Sequence, residues 1–213
     1  MSYEAFVAIG TIGLLIPLNT MFSGLSVIVD REAGAQRELL AAPVPRPMLV
    51  FGNLVVALVV TAFQIVALFG AAVARGISFD ASATGLVWFA VAAVLFTLGM
   101  YGMAETLASR VPRQEEYIAR VPAIAIVPWF LAGSLFPITA MPFGLTWIAR
   151  FLPITHALAV MRYGMLGDAT PLSDIWGFGG VTTMATLSVV VVTAFAGLLL
   201  WVAVRSFSRS AMR

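Results

Sequence analysis

Five stretches of the chain run without an acidic residue, an arginine or a histidine: residues 5–29, 47–74, 81–104, 121–149 and 175–204. A helix needs about 20 mostly apolar residues to cross the roughly 30 Å hydrocarbon core of a bilayer. A charge at mid-helix costs about 2.5–3.5 kcal/mol on insertion scales, so five long charge-free runs predict five transmembrane helices. The fourth run is irregular, because it contains Pro122, Pro128, Pro137 and Pro142. Proline removes a backbone donor and kinks or breaks a helix, which argues against one straight span. The pattern predicts a span ending at about Phe136, a turn over 137–142, and a second apolar stretch over 143–166. That stretch is interrupted by Arg150, Pro153, His156 and Arg162. It is too polar for a free span and too apolar for a loop. A pair of short helices re-entering from the outer face, shielded by protein, reconciles the two. The competing expectation is an amphipathic helix lying on the outer membrane surface. The bracketing prolines favour re-entry. No repeat, low-complexity tract or soluble domain is evident. The predicted architecture is all-α, a polytopic membrane bundle of five spans plus an extracytoplasmic re-entrant hairpin at about 137–166, in one domain over 1–213.

Arginine placement predicts orientation. Arg31, Arg37, Arg46, Arg110, Arg113, Arg120, Arg205, Arg209 and Arg213 fall on one side of the predicted spans, and Arg75, Arg150 and Arg162 on the other. The positive-inside rule puts the richer side in the cytoplasm, with the N-terminus outside and the C-terminus inside. No basic residue precedes Arg31, so the opening segment lacks the charged start of a cleaved signal peptide.

Composition agrees. The chain is 61% hydrophobic and 10% charged, against about half and a quarter for soluble domains. Its mean hydropathy is +1.01. This excludes a nucleic-acid-binding domain, a secreted disulfide scaffold and a disordered tail. There is no cysteine or lysine, and His156 is the single histidine. Thiolate, iron–sulfur and Schiff-base chemistry are therefore absent, and no His cluster exists to hold a metal. Nothing in this chain calls for a cofactor of its own.

Two polar segments interrupt the apolar pattern. The loop at about 30–46 runs Asp-Arg-Glu-Ala-Gly-Ala-Gln-Arg-Glu-Leu-Leu-Ala-Ala-Pro-Val-Pro-Arg. Its helix formers predict a short helix of about three turns, with Asp30 as N-cap and Pro43, Pro45 and Pro47 ending it. It reads either as a charged turn or as a docking helix for a cytoplasmic partner. The second segment is Phe136-Pro137-Ile138-Thr139-Ala140-Met141-Pro142, followed by Leu152-Pro153-Ile154-Thr155-His156-Ala157 and then Arg162.

Taken together, these two segments resemble the coupling segment and late signature of type-2 ATP-binding-cassette (ABC) exporter permeases, in family order and about a hundred residues apart. The resemblance covers essentially the whole chain. It implies that Asp30, Arg31, Glu32, Gly34, Arg37, Glu38 and Pro43 dock on an ATP-hydrolysing subunit. It implies that Pro137, Pro142, Pro153, His156 and Arg162 belong to an outer re-entrant gate. It further implies two copies of an ABC ATP-binding subunit carrying ATP and Mg, a second copy of this permease or a related one, and alternating access. The family usually has six spans after an amphipathic helix. Tyr3-Glu4-Ala5-Phe6 matches the start of the second, so the usual first span is expected to be missing.

Without lysine the chain has no G-x-x-x-x-G-K-[ST] phosphate loop, so ATP hydrolysis belongs to a partner and the chain is not itself an enzyme. The resulting expectation is a permease subunit of an ATP-driven exporter in a bacterial inner membrane, moving a drug, lipid or glycan as in multidrug efflux. The alternative is a non-transporting assembly or immunity factor on the same fold. Glu105, near the inner end of the third span, is a possible pathway or proton-relay group. The plainer expectation turns its head toward interfacial water. Asn19 and Gln64 read as interhelical glue. Glu115 and Glu116 read as a solvated loop face, His156 as a hydrogen-bonded structural residue, and Asp168 and Asp174 as turn residues.

Overall fold

The computed structural model describes residues 2–35 and 46–210, and no strand occurs among them. Its long helices are α1 (Tyr3–Glu32), α2 (Arg46–Ala74), α3 (Ala83–Ala108), α4 (Gln114–Leu131) and α8 (Val181–Ser210). Between α4 and α8 come a 3-10 turn (Ile138–Ala140), α5 (Phe143–Phe151), α6 (Pro153–Leu166) and α7 (Thr170–Trp176). The helix ends follow local chemistry. Ser2 and Ser82 each accept a first-turn amide, from Ala5 at 3.1 Å and from Gly85 at 3.0 Å. These bonds satisfy donors that the helix itself cannot. α6 begins at Pro153, where a missing N–H is no loss.

Four helices are long and apolar enough to cross a membrane: α1, Phe51–Ala74 of α2, α3, and Val181–Ser206 of α8. They coincide with the first, second, third and fifth predicted runs. The fourth predicted span is displaced. α4 starts in the charged stretch at Gln114 and ends at Leu131. Its 18 residues extend about 27 Å at 1.5 Å each. Glu115 and Glu116, expected on a loop, form its first turn, where carboxylates complement the positive helix end. Gly133, at φ 73°, turns the chain soon after α4 ends. α5 and α6 are together apolar enough for one broken span or a re-entrant loop, and they bend by 81° at Leu152.

Asp30 does not cap a new helix. α1 continues through Glu32 and closes at Ala33, before Gly34 at φ 80°. Arg37, Glu38 and Pro43 lie outside the described residues. Asp174 is also not a turn residue, since it sits within α7. Asp168 is one, its Oδ1 accepting the Thr170 amide at 2.9 Å.

α3 is the centre of the bundle and packs against α8, α6 and α1. Small residues let these backbones approach, as in other membrane helices. A Cβ on Gly85 would run into the Gly164 carbonyl of α6, and one on Gly164 into the Gly85 carbonyl. A Cβ on Gly102 would lie 2.7 Å from the backbone between Leu199 and Leu200, while Gly99 faces Phe195. Rising numbers on α3 thus meet rising numbers on α8, so these two helices run parallel. α2 lies at the margin, exposing Val55, Val59, Phe63 and Val66. Asn19 ties it to α1, donating to the Ala57 carbonyl at 3.1 Å and to Thr61 Oγ1 at 2.8 Å. This is the interhelical role expected for Asn19. The Gln64 Oε1, by contrast, is buried and finds no partner among the described residues.

Candidate functional site

The bent pair α5–α6 has a definite register. The Arg162 guanidinium stacks on Phe6 of α1 at 3.5 Å from the ring centre, Gly13 faces Leu158, and Pro17 shares a cavity wall with Ile154. Falling numbers on α6 meet rising numbers on α1. On α3, Gly85 abuts Gly164 and Phe96 joins the same wall as Ile154. α6 therefore lies antiparallel to the first halves of α1 and α3, and its first turn stands level with the middles of both. Its 14 residues reach about 21 Å, short of a bilayer core.

Arg162 is 3% exposed yet has no carboxylate partner within salt-bridge distance among the described residues. Its Nη1 donates to the Gly133 carbonyl and its Nη2 to the Ser134 carbonyl, both at 3.0 Å. The fork of the guanidinium suits two adjacent acceptors. The turn it holds is also anchored to α1, because Trp129 Nε1 donates to the Gly10 carbonyl at 2.7 Å. One buried cation thus joins α1, the end of α4 and α6.

His156 is enclosed as well. Trp176 Nε1 lies 2.9 Å from Ser188 Oγ, Ser188 Oγ lies 3.2 Å from His156 Nδ1, and His156 Nε2 lies 2.9 Å from the Arg150 carbonyl. The ends of this chain fix its polarity. An indole N–H only donates and a carbonyl only accepts. The carbonyl requires a proton on His156 Nε2, and in the neutral ring Nδ1 then accepts from Ser188 Oγ. The arrangement links α5, α6, α7 and α8, and Arg150 adds a bond from Nε to the Asp174 carbonyl at 3.0 Å. Burial pushes the Asp174 carboxyl up from its ordinary range, opposed by the nearby Arg150 charge. Pro137 precedes the 3-10 turn, Pro142 precedes α5 and Pro153 opens α6. Of the predicted gate residues, Pro137 and Arg162 line one pocket, His156 belongs to a separate cluster on α6, and Pro142 and Pro153 stand at helix starts.

The other candidate site lies at the opposite end of the bundle. Arg31 Nη2 donates to the Val111 carbonyl at 2.6 Å, and Nη1 to the Ala108 carbonyl at 3.2 Å. Glu32 accepts from Gln114 Nε2 at 2.6 Å. These bonds clamp the end of α1 to the α3–α4 connection, so Arg31 is occupied within the chain. Glu105 is 4% exposed and accepts from the Tyr101 hydroxyl at 2.7 Å, which overturns the expectation of a water-facing head. Nearby, the Tyr117 hydroxyl donates to the Met21 carbonyl at 2.9 Å and fills the space beside Gly24. Among the described residues no group of His, Asp and Glu side chains has a metal-binding arrangement.

Sequence reasoning missed Ser188, Trp176 and the Gly133–Ser134 carbonyls. The one available signal was that a buried histidine and a buried arginine must find partners.

Comparison with known proteins adds a family. The family model for the ABC-2 type transporter matches residues 2–166, from α1 through the end of α6. The chain is 28% identical over 163 residues to ycf38 of Porphyra purpurea, which bears the name of a transport permease, covering 76% of this chain and 56% of that protein. It is 28% identical over 181 residues to YbhR of Escherichia coli strain K12, which bears the name of a multidrug ABC transporter permease, covering 83% of this chain and 47% of that one. The chain thus spans about half the length of these curated relatives. No solved structure matches it significantly. With its membrane-length helices and a family match across most of its length, the chain belongs to the ABC-2 type transporter family.

Proposed function

We propose that this chain is a membrane-spanning permease subunit of an ATP-driven exporter that moves a lipophilic or amphiphilic cargo out of the cytoplasm by alternating access. The family match over residues 2–166 carries this reading. Its partners are two ABC ATP-binding subunits, which bind ATP and Mg, and a second copy of this chain or a related permease. The membrane is a bacterial inner membrane, with the N-terminus outside and the C-terminus in the cytoplasm. Arginine asymmetry supports that orientation.

The segment around 30–46 docks on the ATPase, and the clamp from Arg31 to the α3–α4 connection transmits its movement to the bundle. The α5–α6 pair re-enters from the outer face and closes the exit. Arg162 holds the closed position through the 133–134 turn. The absence of charge from the long apolar runs favours a lipophilic cargo.

The test is efflux of a lipophilic dye from cells expressing the intact system, with wild-type chain or Glu38→Arg. Loss of both efflux and ATPase association in Glu38→Arg is expected. Unchanged efflux and association would sink the docking assignment.

A further inference from the structure

The bundle holds a partly open pocket of about 140 Å³ that none of the polar clusters above lines. It lies between α1, α3, α4, the α5–α6 junction and α8. Pro17, Phe96 and Phe195 reach it from the middles of their helices, so it sits at mid-membrane depth. Met100 and Met103 supply soft, adaptable side chains.

The chemistry of the wall decides what it takes. Every lining side chain is apolar, and Pro17, Pro128 and Pro153 have no N–H to donate. A water here would lack the two to four polar partners it needs, so the apolar lining disfavours ordered water. A dry apolar cavity of about 150 Å³ accepts a benzene-sized guest. At this depth the bilayer is the source of such a guest.

We propose that this cavity is a binding site for a compact apolar group, a single aromatic ring or branched alkyl unit, carried by a lipophilic solute that enters from the membrane. The site lies inside one chain, and it stands whether or not the chain couples to an ATPase. Its walls come from the central helix α3, from α4 and from Leu152, Pro153 and Ile154 at the start of α6.

The test uses the full chain in lipid nanodiscs and a photoactivated phenyl-diazirine as the apolar ring. Adducts are mapped by mass spectrometry. The expected result is labelling concentrated on Met100, Met103 and Phe195, saturating with probe and displaced by excess toluene. Ala125→Phe fills the cavity from a fully buried wall position, and Met103→Trp fills it from a less enclosed one. Each is expected to lower cavity adducts about tenfold, the loss that 1.4 kcal/mol of clash produces. Both variants are checked for monodispersity, and the saturation measurement on wild type decides even if neither folds. Labelling that never saturates, or that is no stronger than at Phe63 and Val66 on the exposed face of α2, would overturn the proposal.

Discussion

Replacing Arg162 by methionine removes a buried charge while keeping an unbranched apolar stem, and the structure sets the expected cost. Two carbonyls, of Gly133 and Ser134, lose their donors at 3.0 Å. Each buried acceptor left unpaired costs about 1–3 kcal/mol. The stacking on Phe6 at 3.5 Å adds about 1–2 kcal/mol where it is desolvated. Against this, the folded state no longer buries a guanidinium, whose desolvation costs several kcal/mol. The losses sum to about 3–8 kcal/mol, and setting about 3 kcal/mol of regained desolvation against the middle of that range leaves a destabilisation of about 2–4 kcal/mol. For a chain of this size each kcal/mol lowers the melting temperature by about 2–4 °C, so Arg162→Met is expected to melt about 4–16 °C early. Arg162→Lys keeps the charge but has no planar fork to span both carbonyls, so it does not restore the wild-type value. The assay is thermal unfolding in mild detergent, followed by tryptophan fluorescence. Arg162→Met melting within about 1 °C of wild type would refute the assignment of Arg162 as the anchor of the turn.

Other expectations follow from the same framework. Gly164→Val drives a branched side chain into the Gly85 carbonyl, and is expected to abolish monodisperse expression, read by size-exclusion chromatography. Ser188→Ala breaks the relay from Trp176 to His156 and should cost about 1–3 kcal/mol by leaving buried polar atoms unpaired, read as an earlier thermal transition. Asp174 has a folded-state carboxyl raised by burial, so the folded state holds that proton more tightly than the unfolded one does. Its contribution is present at acid pH and is lost as pH rises through the raised value. Asp174→Asn is therefore expected to stabilise slightly at pH 7 and to lose that advantage toward pH 4, read from paired melting curves. No gain at pH 7 would contradict the sign.

The long spans were legible because exclusion of charge from hydrocarbon is a strong constraint that a sequence states directly. α4 was less so, since Gln114 through Arg120 form helix where the charge pattern marked a loop. Asp30 misled for a related reason. A helix-forming segment with an early carboxylate can start a helix or extend one, and the Arg31 bonds to the α3–α4 connection are long-range facts. His156 declared itself as structural, but its partners lie 6 and 32 residues away. Arg162 announced a need for partners without naming them, because those partners are backbone carbonyls that no side-chain pattern marks. Glu105 was misplaced because burial by Tyr101 and its neighbours comes from helix packing, and position along a helix does not encode it.

The most direct test of the proposed function is a mild-detergent pull-down of the tagged chain from its native membrane, with co-purifying proteins identified and quantified. The account predicts an ABC ATP-binding subunit in one-to-one ratio with permease chains, its recovery lost in Glu38→Arg. A chain that purifies without any ATP-binding subunit, even after crosslinking in the intact membrane, would contradict it.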